Sequence, residues 1–449
     1  MDRNDNLAEQ SVFFNSSEAA QSDAALRILR QLLKNFPEAT ASRLVGDNIN
    51  EFEIAAPTFT LLIKDPIVLR QLVFGRSPLP LADGYINGLI DVEGNFFDAV
   101  AVKRYFEHFD FTLGQRWELI RDAWRLPSKA RSFTNTQFDA HKHDANFDHE
   151  HTRHSDKAAI SFHYDVSNLF YKLWLDQEMV YSCGYFESET DTLDQAQRNK
   201  LDHICRKLRL KPGERFLDVG CGWGAMVCWA ARHYGVQAHG ITLSQKQYEY
   251  AQARIKAEGL NDRVTVELRD YRDLVGENVY DKISSIGMFE HVGLANLPVY
   301  NATIHRVLKT GGLFLNHGIT HDEDGWEKTI ATQFINRYVF PDGELDMVSN
   351  VQRGMENAGF EIHDVEALRP HYAMTLLHWV KRLEERREEA LQYVSESAYR
   401  VWRLYMTACA LEFEAGGTGI YQILVSKRGS EVLPTPLTRT DIYTGPFAR

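Results

Sequence analysis

The densest chemistry in this chain lies in the run FLDVGCGWGAM, residues 216–226. Residues 215–219 read as a buried strand that runs directly into Gly220, Gly222 and Gly224. Glycines at this spacing let the backbone turn sharply and lie close against a ligand. The turn would stand at the carboxyl end of a strand, where open α/β sheets bind their ligands. The pattern is DxGxGxG, not the GxGxxG of dinucleotide folds. Asp218 is then either a ligand-side carboxylate or a residue that hydrogen-bonds a loop. Three further residues are of types that do acid–base or nucleophilic work: Cys183 in YSCGYF, Glu290 in MFEHVG and His317 in NHGIT. Taken singly, each has an ordinary reading. Cys183 is a small buried hydrophobe, Glu290 pairs with His291 or caps a helix, and His317 is a satisfied core histidine.

The glycine run resembles the first motif of S-adenosylmethionine-dependent methyltransferases. That resemblance implies where other cofactor contacts fall. Many such enzymes hold the ribose with an acid at the end of the second strand, but here the strand ends GITLSQKQ, without an acid. Thr242 and Gln247 are the expected substitutes, bonding the ribose or the methionine end. The third strand ends ELRDYRDL, which offers Asp270 to the adenine amino group and Tyr271 to flank the ring. A turn or cap carboxylate is the other reading of Asp270.

Seven motifs then occur in order: HYDVSNLFYKLWLDQEMVYSCGYF at 163–186, FLDVGCGWGAM at 216–226, GITLSQKQ at 240–247, DYRDL at 270–274, GMFEHVG at 287–293, GGLFLNHGI at 311–319 and FPDGELDMV at 340–348. Together, over roughly residues 160–430, they resemble the cyclopropane-fatty-acid synthase family, which includes mycolic-acid methyltransferases. The resemblance implies methyl transfer from S-adenosylmethionine to the cis double bond of a lipid acyl chain, followed by proton loss to close a cyclopropane. It also implies a bound bicarbonate ion as base. Carried over position by position, Glu290 and His317 hold that ion by side chain and Ile319 by its backbone, while Cys183 and Tyr372 line the site. Tyr181 and Ser182 fall near the methionine end of the cofactor. One departure stands out. The family more often shows HTI where this chain has His317-Gly318-Ile319. Of the aromatics Tyr164, Phe170, Tyr171, Trp174, Tyr185 and Phe186, most are expected in packing and some along an acyl channel. The rival readings are a methyl-branched product without ring closure, a non-catalytic lipid-binding protein, and a small-molecule methyltransferase.

These residues need a scaffold. Apolar, β-branched or aromatic runs at RFLDVG, VQAHGITLS, RVTVELRD, YDKISSIG, GGLFLNHG and GIYQILVSKR alternate with helical stretches, which predicts an α/β fold with a parallel sheet covered on both faces; the resemblance implies that this is the doubly wound, Rossmann-like sheet of S-adenosylmethionine-dependent methyltransferases. Expected boundaries are a smaller N-terminal α+β domain over 1–126, a polar linker over 127–158 and a catalytic domain over 159–449. The segment FTLLIKDP…ADGYINGLIDVEG resembles the N-terminal region of longer family members, itself reminiscent of sterol-carrier-like lipid-binding modules. Residues 1–20 read as a loose tail, residues 23–36 as a helix with Ala25, Ile28, Leu29, Leu32 and Leu33 on one face, and FEIAAPTFTLLIKDP as two short strands around Pro57. In 97–124, Phe106, Phe109, Leu113, Trp117, Ile120 and Trp124 recur at helical spacing. With a net charge of +3 over 103–131, this helix either lies at a membrane surface or packs between domains. Five histidines at 141, 143, 149, 151 and 154 suggest a metal site or a solvated loop. The loop is the expectation, and no metal is assigned. The 449 residues carry 62 acids and 50 bases, a net charge of −12, which argues against a dedicated nucleic-acid binder. Five cysteines without a CxxC pair, a polar amino terminus and no long apolar run predict a cytoplasmic protein, and the family resemblance implies an enzyme peripheral to the inner face of a membrane. An unsaturated phospholipid and a second copy of the chain are its expected partners.

Overall fold

The computed structural model of the protein describes residues 16–33, 39–44, 58–75, 79–102, 111–129, 167–323, 334–335, 338–339, 343–429 and 434–443. Phe106, Phe109, Tyr164, the histidine cluster and the FPD of FPDGELDMV lie outside them. The chain forms two compact units, Met1–Gln137 and Phe138–Arg449.

In the first unit, α1 (Ser16–Leu33) begins inside the segment expected to be a tail. It buries Ala25, Ile28, Leu29 and Leu32, as their spacing predicts. Three strands follow: β1 (Ala39–Leu44), β2 (Phe59–Ile63) and β3 (Ile90–Gly94), with β1 parallel and β3 antiparallel to the central β2. Of the two strands expected around Pro57, β2 is present, and residues 51–57 lie outside the described set. Between β2 and β3 run α2 (Ile67–Gly75) and α3 (Leu79–Ile86), and after β3 come α4 (Phe96–Ala101) and α5 (Leu113–Arg125). Thr112 and Gln115 close a capping box at the start of α5, satisfying two orphan donors of its first turn.

The expected aromatic face of α5 does not turn inward. Leu119 and Ala123 pack with Leu126 against α1 and α2, while Leu113, Trp117 and Trp124 stand 78%, 72% and 67% exposed. What fixes this rotation is Asp122, nearly buried on the inner face, which accepts a two-pronged hydrogen bond from Arg27 of α1 at 2.9 and 3.1 Å. Arg70 of α2 donates to the carbonyls of Ala123 and Leu126, 3.0 Å each. Its guanidinium lies 5.2 Å from both the Phe74 and Trp124 ring centroids.

The second unit carries the sheet that positions the site. Two helices precede it, α6 (Asn168–Trp174) and α7 (Leu193–Leu208). Then come β4 (Arg215–Val219), α8 (Ala225–Tyr234), β5 (Gln237–Thr242), α9 (Gln245–Ala257), β6 (Val264–Leu268), β7 (Tyr280–Ile286), α10 (Leu297–Val307), β8 (Leu308–His321), α11 (Val348–Asn357), β9 (Phe360–Ala367), α12 (Arg369–Glu385), α13 (Glu396–Ala415) and β10 (Thr418–Lys427). The strand order is β6-β5-β4-β7-β8-β10-β9. β4 to β8 pair in parallel, and β10 runs antiparallel between β8 and β9. This is a doubly wound, mostly parallel sheet. Four of the five residues of β4 are buried, the near-continuous burial expected of a strand covered on both faces. Its neighbours are β5 on one side and β7 on the other, so the connections diverge at its carboxyl end and open a crevice there. β9 is a strand the sequence pattern did not announce.

If Asp122 sets the rotation of α5, its exposed aromatics add little to folding. The double substitution of Trp117→Ser and Trp124→Ser should lower stability in chemical denaturation by about 1 kcal/mol or less. Leu119→Ala should lower it by about 2–4 kcal/mol.

Candidate active site

The crevice at the end of β4 is a cleft lined by most of the residues expected to hold the cofactor. Asp218 is buried there and accepts from the Ser284 hydroxyl of β7 at 2.5 Å. Burial raises its carboxyl to about 6 against the opposing pull of Ser284 and Lys200. The glycines that follow all take positive φ: +80° at Gly220, +53° at Gly222 and +83° at Gly224. Their tasks differ. A Cβ on Gly220 would lie 2.9 Å from Met288, so this glycine admits a neighbouring side chain. At Gly222 a Cβ would meet nothing within 4 Å, so its missing side chain leaves open a place where a ligand fits. Gly224 stands outside the cleft. It precedes the first turn of α8 and lets Ala251 of α9 approach, with a would-be Cβ at 3.1 Å.

The other expected cofactor residues reach the same cleft. Tyr181 and Ser182 line one part of it, and Thr242, Gln247, Asp270 and Tyr271 another. Thr242 donates to the Gln247 side-chain oxygen at 2.7 Å, so the group Gln247 still has to offer is its NH2. Asp270 caps the short turn Tyr271–Asp273 by accepting from the Arg272 N–H at 2.8 Å. The Arg272 guanidinium grips the same carboxylate at 2.8 and 2.5 Å. The cap reading and the cleft-lining reading of Asp270 are therefore both realised, and the fork fixes the carboxylate's orientation.

The five residues expected at the reacting centre lie outside that lining: Cys183, Glu290, His317 and Tyr372 are buried and Ile319 is half-buried. Glu290 sits on the turn Phe289–His291 after β7, flanked in sequence by the cleft residues Met288 and His291. Its Oε1 accepts from the Ile319 N–H at 2.7 Å. Its Oε2 is buried without a partner among the described residues. Burial raises this carboxyl to about 7. His317, on β8, has its Nδ1 3.3 Å from the Gln422 side-chain nitrogen of β10, and its Nε2 is buried without a partner among the described residues. Burial, assisted by the charges of Lys200 and Lys207, holds its pKa well below the ordinary histidine range, so the ring is neutral. Cys183 is fully buried, and its thiol lies 3.2 Å from the Gly184 carbonyl and 3.8 Å from that of Leu368. Burial pushes the thiol's pKa far up, which keeps it protonated and makes it lining rather than nucleophile.

The connection among the five runs through backbone. Tyr372 N–H donates to Leu368 O at 3.2 Å, Leu368 N–H donates to Ile420 O at 2.9 Å, and Ile420 pairs across the ladder with Ile319. Gly287 N–H, at the end of β7, donates to His317 O at 2.8 Å. The departure at Gly318 now has a cause. A Cβ there would lie 1.8 Å from the Phe289 ring, which occupies the space a larger residue would need. The ladder itself is regular, with Gly318 opposite Tyr421.

The family described as mycolic acid cyclopropane synthetase matches residues 151–423. The chain belongs to this family. Among its relatives, a "probable fatty acid methyltransferase" of Pseudomonas putida is 42% identical over 398 residues, covering 88% of this chain and 94% of that protein. The cyclopropane-fatty-acyl-phospholipid synthase of Escherichia coli K12 is 40% identical over 267 residues, 59% of this chain and 66% of that protein. A crystal structure of mycolic acid cyclopropane synthase CmaA1, complexed with SAH and CTAB, superposes with a TM-score of 0.57 at 33% identity, covering 60% of this chain and 98% of that one. Family and fold together make the chain an S-adenosylmethionine-dependent methyltransferase.

Within this family member, several cleft residues escaped the sequence reading: Lys200 and Trp223, and the basic residues Arg269, Arg272 and His291. Arg272 lies two residues after Asp270, and that spacing was the one available signal for it. Among the described residues there is no cluster of three or more metal-ligating side chains and no helix long and apolar enough to cross a membrane.

The open space at Gly222 gives a direct test. Gly222→Ala adds a side chain that meets no protein atom within 4 Å, with about 1–2 kcal/mol of left-handed backbone strain. Calorimetry should show S-adenosylhomocysteine binding weakened by about tenfold or more, with the protein still folded by thermal melting. Unchanged affinity would place the cofactor elsewhere.

Proposed function

We propose that this enzyme methylates the cis double bond of unsaturated phospholipid acyl chains at a membrane surface and removes a proton to close a cyclopropane. The observation that carries this reading is that Glu290 Oε2 and His317 Nε2 are each buried without a partner among the described residues, on segments that adjoin the cleft through Met288, His291 and Gly287. Buried polar atoms without partners are rare in folded proteins and call for an occupant. A small oxyanion such as bicarbonate fits these residues, and when bound it would supply a proton acceptor. Glu290 would hold it in place, Ile319 N–H would hold Glu290, and Gln422 would fix the His317 ring.

An alkene is a weak nucleophile, so the protein's first task is positioning. Its second is to exclude water, because the cation left on the acyl chain after methylation would otherwise become an alcohol. Phe170, Tyr171, Trp174, Tyr181, Trp379 and Trp402 supply a dry aromatic wall, in which Tyr181 and Trp379 stack at 5.1 Å and Tyr171 lies 5.0 Å from the cleft residue Trp223. Such faces stabilise a nearby positive charge. Loss of one proton from the added methyl then closes the ring, a net gain of one CH2. On α5, exposed Leu113, Trp117 and Trp124 beside Arg116, Arg121 and Arg125 make a surface suited to anionic lipid. Peripheral association with the inner face of a membrane, and pairing with a second copy, remain part of this proposal. The name of the Pseudomonas putida relative supports one other outcome, a methyl-branched chain that stays unsaturated.

Mass spectrometry of lipids from an expressing host decides between products. A gain of one CH2 with the double bond lost supports ring closure, and retained unsaturation supports branching. Glu290→Gln should bind S-adenosylhomocysteine within about threefold of the unaltered protein, while turnover falls by about a hundredfold or more. The carboxyl is raised to about 7 and must be ionised to work, so turnover should rise with pH through about 7, and the variant should lose that limb. The stability sign is opposite. An acid whose folded pKa is raised destabilises the fold as pH climbs from the unfolded value near 4.5 through about 7. The variant should therefore be the more stable protein at pH 8.

A further inference from the structure

Residues 181–186 are gripped between two helices, and the grip is on the backbone. Consecutive N–H groups leave in alternate directions. Gly184 N–H donates to the Thr375 hydroxyl of α12 at 3.0 Å, Tyr185 N–H to the Ala196 carbonyl of α7 at 2.9 Å, and Phe186 N–H to His371 Nδ1 of α12 at 3.0 Å. The fit is close. A Cβ on Gly184 would lie 3.2 Å from Ala196 and 3.3 Å from Thr375 Oγ1. Thr375 is fully buried, and its hydroxyl proton goes to the His371 carbonyl in the preceding turn at 2.7 Å. What it turns towards Gly184 is therefore a lone pair. The roles at His371 are equally fixed. A backbone N–H can only donate, so Nδ1 is the acceptor and the ring is the neutral Nε2–H tautomer. That ring stacks on Tyr185 at 5.0 Å, and Tyr185 stacks in turn on His203 of α7 at 4.2 Å.

The two ends of this segment have different holders. Ser182, in the cleft, is fixed from α7, by the Gln197 amide at its carbonyl and by Lys200 at its hydroxyl, 2.8 and 3.0 Å. The end that follows Cys183 depends on α12, which also carries Tyr372. We propose that His371 and Thr375 are positioning residues that lock the Cys183 end of the segment to the helix bearing Tyr372, and that the lock opens when His371 takes up a proton. The inference rests on the reading of Cys183 and Tyr372 as walls of the reacting centre and adds what holds those walls in register. An imidazolium has two N–H donors and no acceptor. Its Nδ1–H would face the Phe186 N–H, and that amide would lose its partner. Among the described residues, the titratable groups acting on the ring are Glu366 of β9 and His203 of α7. Glu366 is already engaged by His203 at 2.8 Å and Lys207 at 2.5 Å. Tyr185, pushed up by burial, stays a neutral phenol, and His378, which stacks on Phe186, is held down by burial. Burial, against the pull of Glu366, lowers the His371 pKa as well. The cost of keeping the ring neutral is absent above the unfolded value near 6.5 and grows as pH falls below it.

The test is hydrogen–deuterium exchange of the peptide covering residues 181–186, at about pH 8 and about pH 5.5. Methyl transfer to lipid and S-adenosylhomocysteine binding are measured beside it at the higher pH. His371→Phe keeps a ring in the stack and removes the acceptor. His371→Asn puts an amide oxygen in reach of the same N–H, and that oxygen accepts without titrating. At the higher pH, His371→Phe should lose about tenfold or more in both protection and turnover. Its S-adenosylhomocysteine affinity should stay within about threefold, because α7 still holds Ser182. His371→Asn should keep protection and turnover within about threefold. At the lower pH the unaltered protein should become less protected than His371→Asn. Intrinsic exchange cancels between the two at one pH, and this comparison does not need His371→Phe to fold. Equal failure of both variants would credit the ring's packing rather than its acceptor and overturn the proposal. Unchanged protection in His371→Phe would overturn it, as would protection lost with turnover kept. An acid response that persists in His371→Asn would do the same. An unaltered protein that transfers no methyl group to lipid would instead remove the function beneath it, while exchange still judges the lock.

Discussion

Desolvation is the constraint on which this site depends. Asp218, Glu290, Lys200 and His317 are all buried, in surroundings where an ionised group is expensive. Burial raises the two carboxyls and lowers the lysine and the histidine, drawing acids and bases towards neutrality. Glu290, at about 7, and Lys200, at about 8, can then exchange protons near physiological pH, while His317 stays neutral. The sheet makes that burial affordable. Its central strands are covered on both faces, and Glu290 and His317 stay buried outside the lining of the crevice beside β4.

Two regions share this burial and are joined through the backbone. The cleft residues Met288 and His291 bracket the turn that carries Glu290, and the cleft residue Ser182 immediately precedes Cys183. A cofactor in the cleft and an acyl chain beside it would thus be gripped by the same short segments. β8 and β10 complete the arrangement, because the ladder that pairs Ile319 with Ile420 also sets Gln422 opposite His317. The antiparallel insertion of β10 is therefore what brings a histidine partner into the site.

Much of this was legible in the residues. β4 to β8 and β10 are apolar enough to read as strands, and the glycine turn could be placed from DxGxGxG. β9 was not legible. Its sequence FEIHDVEA alternates apolar with charged residues, and the charges are there for a reason that lies far away in sequence: Lys207 of α7 is bound by Asp364 at 3.0 Å and Glu366 at 2.5 Å. Lys200 was hidden by the same helix. In LDQAQRNKLDHICRKL the polar residues look like a solvated face, but neighbouring elements cover both sides of α7. For α5 the sequence left two readings open, an outward and a packed aromatic face, because the small Ala123 and the ion pair of Asp122 with Arg27 that set its rotation do not show in the spacing of its aromatics. Pairings between residues 95 apart leave no local periodicity to detect.

The exchange between Gly318 and Phe289 has a consequence for how such a sequence can change. The ring fills what would otherwise be side-chain space on β8, so the two positions form one unit of volume and their substitutions are not independent. Enlarging position 318 first drives a side chain into an aromatic ring and pushes on the turn that holds Glu290. Shrinking position 289 first leaves a void, which proteins tolerate at about 3–5 kcal/mol for phenylalanine to alanine. The order of the two steps decides whether the intermediate keeps its carboxylate in place. A path between the glycine and threonine forms of this motif is passable in one order of steps and blocked in the other.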